Sequence, residues 1–250
     1  MKNELFSIGP FTVYGYGTMI AVGLIAAYMV SMYRAKKKRM DTDAVFSLIV
    51  LCVIGGIVSA KLLFWLVNWR YYVENPGAFR YLTDGFVVFG GILGGLFTGW
   101  LYTRKKKLSF LKYADLLLPS VALAQGFGRI GCLLAGCCYG RETDSIIHLV
   151  FPEGFYAPDG IWLVPVQVYS SILNFLHFGI LLWISGRAKK EGEVSAFYLI
   201  FYSAGRFVLE FFRGDLERGS VGGMSTSQFI ALFTFAAGVL LLGLLKKRHV

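Results

Sequence analysis

Two arginines stand inside apolar runs of this chain, and an arginine in that setting needs something anionic to meet. Arg129 lies near the end of a run from Tyr113 to Leu134 that is otherwise almost wholly apolar or small, with Asp115 near its start. Its guanidinium cannot shed its proton there. Charged side chains in membrane spans face the bundle interior or a wet cavity, and by default they mark a functional site. The glycines around it, Gly126, Gly128, Gly131, Gly136 and Gly140, let a backbone or a ligand approach closely. The competing reading is tight helix packing with Arg129 paired to a carboxylate. Arg206 lies in a second run, Val194 to Phe212, with Tyr202 and Glu210 four residues to either side and Arg213 three beyond Glu210. That spacing puts the side chains on one helical face. Either Arg206 and Glu210 satisfy each other, or Glu210 orients Arg206 toward an anion bound between helices.

Two guanidinium groups in an apolar bundle suit an amphiphile with a phosphate head, because the bidentate fork matches phosphate and apolar walls match acyl chains. A phospholipid satisfies both. In a dry site such cations also stabilise charge that builds on a departing phosphate oxygen. The chemistry indicated is therefore a transfer in which glycerol phosphate leaves.

Other polar residues in the runs divide between structural and functional readings. Lys61, near the middle of the second run, either snorkels or pairs structurally, or belongs to the site. Tyr16 either anchors at the membrane interface or touches ligand. Gln167 and Tyr169 bring an amide and a phenol to the start of the fifth run. His177 reads as a neutral, hydrogen-bonded bundle residue more than as a base, and His148 as a solvated loop residue. Cys132, Cys137 and Cys138 cluster in the glycine-rich stretch at a spacing that matches no common zinc pattern. Packing is the default for them, with redox or metal chemistry as the other reading.

The elements that position these residues follow from composition. At 56% hydrophobic and 16% aromatic residues, the chain is more apolar than a soluble globule, for which about 45–50% is usual. Seven apolar runs are legible: Phe11–Tyr33, Ala44–Trp69, Gly85–Tyr102, Tyr113–Leu134, Val166–Ser185, Val194–Phe212 and Met224–Leu245. The fold class expected is an all-α, polytopic membrane bundle forming a single domain over residues 1–250, with a small extracytoplasmic portion from loops 70–84 and 141–165. The net charge of +10 does not indicate nucleic acid, because the basic residues fall in short clusters after the first, third, fifth and seventh runs. Under the positive-inside rule those clusters mark the cytoplasmic face, giving an N-terminus outside and a C-terminus inside.

These residues together carry a family likeness. Ser7-Ile8-Gly9-Pro10 with Tyr16-Gly17, Asp84-Gly85, Gly90-Gly91, Gly128-Arg129-Ile130-Gly131 through Gly136 and Gly140, Pro165 with Gln167 and Tyr169, and Tyr202, Arg206, Glu210-Phe211-Phe212-Arg213 run over almost the whole chain. In them the sequence resembles the prolipoprotein diacylglyceryl transferases. The resemblance implies a multi-pass enzyme of the bacterial cytoplasmic membrane. Such an enzyme transfers the diacylglyceryl group of phosphatidylglycerol to the lipobox cysteine of a prolipoprotein, among membrane lipids and without a metal or cofactor. It implies Arg129, Arg206 and Glu210 as catalytic residues. Tyr16, Lys61, Gly90, Gly91, Gly128, Gly140, Gln167, Tyr169, Tyr202 and Arg213 would contact substrate. The chain departs from the family pattern at Phe89, where a histidine is usual, at Cys132 and Ala135, where asparagines are common, and at Cys137, where an acid is common. A paralogue with another acceptor, and a protein that binds or moves phospholipid without chemistry, fit the same residues.

Overall fold

A computed structural model describes residues 4–8, 11–80, 85–215 and 220–247; Gly9, Pro10 and Asp84 of the family pattern lie outside them. All seven apolar runs form helices: α1 (Gly15–Lys37), α2 (Thr42–Val67), α4 (Val88–Lys105), α5 (Phe110–Ala135), α6 (Val166–Ser185), α7 (Glu193–Glu210) and α8 (Thr226–Lys247). A short α3 (Trp69–Glu74) and a 3-10 turn (Pro76–Arg80) occupy the loop after α2. Five of these, α1, α2, α5, α6 and α8, are long and apolar enough to cross a membrane. The other two, α4 and α7, have 18 residues each, which makes roughly 27 Å of helix against a hydrocarbon core of about 30 Å.

Helix ends differ from the run ends by a few residues in all but α6, and two of the differences bear on the site. The first run does not begin as helix at Phe11: β2 (Phe11–Tyr14) pairs antiparallel with β1 (Glu4–Ile8), and α1 starts at Gly15. The α7 helix ends at Glu210 and passes into tighter turns through Phe211 and Phe212, so Arg213 lies beyond the helix itself.

The chain forms two compact units. One, Met32–Tyr113, is built on α2 packed against α4. Glycine sets this seam: a Cβ on Gly90 would lie 2.6 Å from the Ser59 carbonyl oxygen and 2.8 Å from Leu63 Cβ, and one on Gly94 would collide with the Ser59 side chain. Gly90 and Gly91, expected at a lipid head group, are thus accounted for by helix packing; Gly91 abuts Gly56 and Ala60. The glycines of the third run allow either a closely packed helix or a broken one lining a cavity, and the run is a closely packed helix. The α2 helix starts at Asp41, whose Oδ1 accepts from Asp43 N and Ala44 N at 2.9 and 3.1 Å, satisfying donors that have no intrahelical partner.

The other unit, Met1–Ser31 with Ala114–Val250, is organised by one buried carboxylate. Asp115, near the start of α5, accepts from Gly192 N at 2.7 Å, Ser195 N at 2.7 Å and Ser195 Oγ at 2.6 Å. It therefore caps the N-terminus of α7 from a different helix, made possible by Gly192 at φ 98°. This fastens the beginnings of α5 and α7 together and makes the two helices run parallel. Arg129 follows Asp115 by fourteen residues, and Arg206 follows Gly192 by the same fourteen. At 1.5 Å per residue both guanidinium-bearing turns rise roughly 21 Å from that shared base.

The remaining helices of this unit run the other way. Ser171 Oγ of α6 donates to Gly126 O at 3.0 Å. Ser203 of α7 meets Thr234 of α8 at 2.6 Å between hydroxyl oxygens. A Cβ on Gly23 of α1 would lie 3.0 Å from Phe127 Cβ. Residues 141–165, expected as a loop, fold into a small apolar core of Phe151, Ala157 and Leu163 under Leu133 and Tyr139. His148 is stacked on Trp162, with ring centroids 3.9 Å apart.

Candidate active site

Because α5 and α7 are parallel and α1, α6 and α8 oppose them, the ends of the first two meet the starts of the other three. Five of the expected residues come together there: Tyr16 at the start of α1, Arg129 toward the end of α5, Gln167 at the start of α6, and Arg206 and Glu210 at the end of α7. Arg206 donates from Nη2 to Ser227 Oγ at 2.8 Å and lies 2.7 Å from Glu210 Oε2. The pair is mostly buried, with side-chain exposures of 14% and 8%, yet among the described residues Oε2 accepts no well-aligned hydrogen bond. The contact is thus ionic more than directional. Tyr202, one turn back on α7, stacks on Tyr198 at 5.8 Å and acts electrostatically on Arg206, as do Arg129 and Arg213.

Arg129 differs from the other two arginines. It is half-buried, and among the described residues it makes neither an ion pair nor a hydrogen bond. The reading in which it is locked to a carboxylate therefore has no partner to supply within that set. A Cβ on the adjacent Gly128 would meet nothing within 4 Å among the described residues, which leaves space among them beside the guanidinium-bearing turn. Tyr16 lies against the same turn: a Cβ on Gly131 would stand 3.2 Å from Tyr16 Cδ2.

Arg213 is held from the side. Its Nε donates to Asp215 Oδ1 at 2.8 Å and its Nη2 to Oδ2 at 2.6 Å, a bidentate fork. Burial works against its charge, but the hydrogen bonds to Asp215 outweigh this and hold the guanidinium more basic than usual. The segment carrying it pairs with the glycine-rich stretch: Gly140 bridges Arg213, Arg141 N donates to Phe212 O at 2.9 Å, and Gly214 N donates to Tyr139 O at 3.1 Å. A side chain on Gly140 would collide with Val164. Gly140 therefore serves this chain crossing.

The three clustered cysteines are built by the end of α5. Gly136 takes φ +72°, Gly136 N donates to Leu133 O at 3.3 Å, and Cys137 N donates to Cys132 O at 3.1 Å. This is the Schellman arrangement, in which the side chains at the two ends of the turn, here Cys132 and Cys137, are brought into contact. Cys138 at φ 58° folds back toward them, and the three sulfurs lie within 4.8 Å of one another. Hydrogen bonds with Cys132 and Cys138, and then burial, push the Cys137 thiol up. Cys138, hydrogen-bonded to both neighbours and facing Arg213, is held below the ordinary thiol range. Buried Gln167 donates from Nε2 to Cys137 O at 3.1 Å, while its Oε1 has no hydrogen-bond partner among the described residues.

Tyr169 sits half-buried in the first turn of α6. Lys61 is buried in the α2–α4 unit, its Nζ 5.0 Å from the Phe64 ring, 5.3 Å from Phe86 and 5.7 Å from Trp65; it does not snorkel but sits among rings that attract its charge. Phe89 is exposed on the first turn of α4. His177 is stacked on Tyr198 at 5.1 Å, but among the described residues its Nε2 has no hydrogen-bond partner, unlike the hydrogen-bonded state expected. Sequence reasoning missed Asp215 and Ser227. Asp215, two residues from Arg213, could have been read from spacing; Ser227 could not.

The family model described as prolipoprotein diacylglyceryl transferase matches residues 3–244. The chain is 47% identical over 239 residues to the phosphatidylglycerol–prolipoprotein diacylglyceryl transferase of Clostridium tetani, covering 96% of each. It is 44% identical over 242 residues to phosphatidylglycerol–prolipoprotein diacylglyceryl transferase 2 of Clostridium perfringens, covering 96% of this chain and 94% of that one. With the enzyme of the same name from Listeria innocua it shares 31% over 253 residues, covering 97% and 88%.

Proposed function

The chain belongs to the prolipoprotein diacylglyceryl transferase family, and from that premise we propose that it transfers the diacylglyceryl group of phosphatidylglycerol to the lipobox cysteine of a prolipoprotein in the bacterial cytoplasmic membrane. On this reading the N-terminus lies outside and the C-terminus in the cytoplasm. The acceptor thiolate attacks the glyceryl carbon that carries the phosphate. A C–S bond forms, the C–O bond to phosphate breaks, and the electron pair leaves with glycerol phosphate.

Arg129, Arg206 and Glu210 are the groups we assign to this step. Arg129 receives the lipid phosphate, Arg206 stabilises charge as the leaving oxygen departs, and Glu210 aims Arg206. Arg213, Tyr16, Tyr202, Gln167 and Tyr169 border the head group, and Gly128 leaves room for it. Phe89 cannot accept a proton. A thiol ionises near pH 8.5, however, and cations lower that value, so the acceptor can reach its thiolate without a base at position 89.

One observation carries the assignment: half-buried Arg129 lacks a carboxylate among the described residues, beside two arginines that have theirs. The test uses the protein in vesicles containing phosphatidylglycerol, with a lipobox peptide. A thioether-linked diacylglyceryl peptide is expected, and Arg129→Ala or Arg206→Ala should lower its formation at least about 100-fold, the loss typical of one such donor. Phospholipid binding with no peptide product would instead favour a non-catalytic lipid-binding protein.

A further inference from the structure

The transfer step proposed above gives the cysteine cluster no role, yet its geometry is set by three independent features. The Schellman turn at Gly136 brings Cys132 and Cys137 together through the 3.1 Å bond from Cys137 N to Cys132 O. Cys138 is returned to them by a left-handed backbone at φ 58°, a conformation that a residue with a Cβ rarely adopts. The segment that follows is clamped by the Gly140–Arg213 bridge, and Gln167 holds the Cys137 carbonyl from α6. Strain of this kind persists where the surroundings over-determine it, and it gathers at functional sites.

We infer that Cys132, Cys137 and Cys138 form a three-thiolate site for a single thiophilic d10 cation, Zn(II) or Cu(I). Thiolate ligands select these ions. With metal–sulfur bonds of about 2.3 Å, three sulfurs around one ion stand roughly 3.8–4.0 Å apart. The observed sulfurs, all within 4.8 Å of one another, reach that spacing by small side-chain adjustments. A disulfide would use two sulfurs and leave the third aside, whereas a single ion uses all three. Cys132 is buried and forms the floor; Cys137 and Cys138 are half-buried, leaving a side for the ion to enter and for a fourth ligand. On binding, three S–H bonds are replaced by three metal–sulfur bonds and the protons pass to buffer.

The experiment takes the full chain in detergent, reduced and freed of metal with a chelator, and titrates it with Cd(II) as the probe. The thiolate-to-cadmium absorption should saturate at one ion per chain. Zn(II) and Cu(I), added in separate arms, should each reverse it if they take the same site. Cys132→Ser, Cys137→Ser and Cys138→Ser should each weaken binding at least about tenfold, since even outer partners of a metal site are worth that much. Cys52→Ser should leave it unchanged. A second measurement avoids variants: Cd(II) should protect Cys132, Cys137 and Cys138 of the unaltered protein from alkylation, read peptide by peptide. The assignment is overturned if the absorption band is absent, if it is insensitive to serine at these positions, or if alkylation proceeds unprotected. It is also overturned if two of the three cysteines re-form a disulfide once the reductant is removed, detected as the loss of two hydrogens.

Discussion

Replacing Glu210 by Gln tests how Arg206 works, because it keeps the shape of the side chain and removes its charge. The carboxylate lies 2.7 Å from a guanidinium nitrogen, with both side chains largely out of solvent. On the proposed assignment it competes, in the resting protein, with a lipid phosphate for the same cation. A hydrogen bond to a charged group is worth about 1.5–3 kcal/mol. Taking the lower figure, because the contact is poorly aligned, removal of the competitor strengthens lipid binding about tenfold, at 1.4 kcal/mol per decade. Turnover moves the other way. With Glu210 neutral, Ser227 is the remaining anchor for Arg206, and loss of an aimed donor lowers kcat about 10²–10³-fold. Both KM and kcat should fall, with kcat/KM down about 10–100-fold, the pattern of a group that holds the catalyst at the expense of ground-state binding. The assay varies the mole fraction of phosphatidylglycerol in mixed micelles at fixed lipobox peptide and quantifies the thioether product by mass spectrometry. A raised KM with kcat intact would refute the orienting role and make Glu210 a simple contact.

Two further substitutions separate scaffold from site. Asp115→Asn leaves one carbonyl oxygen for three donors now held at 2.6–2.7 Å, and should lower stability by about 2–5 kcal/mol, read as thermal unfolding in detergent. Because Arg129 lies some 21 Å along α5 from it, kcat measured where the variant is still folded should be unchanged; lost turnover with intact stability would contradict the capping role. Phe89→His should not bring the roughly 10²-fold gain that a general base provides, if the acceptor thiolate forms without one as proposed; a gain of that size in the peptide assay would show that position 89 limits the rate.

How much of this was legible in the sequence varies with the range of the interaction. The seven helices were legible because hydropathy is a property of each run, and the Arg206–Glu210 pair because four residues bring neighbours onto one face. The start of α1 was not, since Phe11–Tyr14 is as apolar as a helix but pairs with Glu4–Ile8. Glycine in α4 allowed both a packed and a broken helix, and the choice was made by Ser59, Leu63 and Ala60 on α2, which no spacing within α4 encodes. The cap of α7 by Asp115 joins residues 77 and 80 positions apart and was invisible for the same reason. Cys132 and Cys137 are a different case. A glycine one residue before the second cysteine, at the end of an apolar run, is the sequence form of a Schellman turn, and it specifies which two side chains meet.

Arg129 and Arg206 carry the same charge but are held differently, and that difference predicts different responses to lysine. Arg206 is fixed by Ser227 and Glu210 before any ligand arrives. Its contribution depends on the planar fork being aimed, which a lysine cannot reproduce. Arg206→Lys should therefore lower kcat by about 10²-fold or more while KM changes little, the loss expected of a preorganised donor. Arg129, with no hydrogen bond among the described residues and open space beside Gly128, must be ordered by the ligand itself, at up to about 2 kcal/mol of side-chain entropy. A compact ammonium on a flexible stem pays a similar entropy and still presents a charge, so Arg129→Lys should raise KM for phosphatidylglycerol by about tenfold with kcat largely kept. Raising the salt concentration should widen the KM gap between Arg129→Lys and the parent, because a point charge relies on Coulomb attraction that salt screens. If the two lysine variants lose kcat equally, the division into a capturing and a stabilising arginine is wrong, and the two guanidinium groups act as one clamp on the same oxygens.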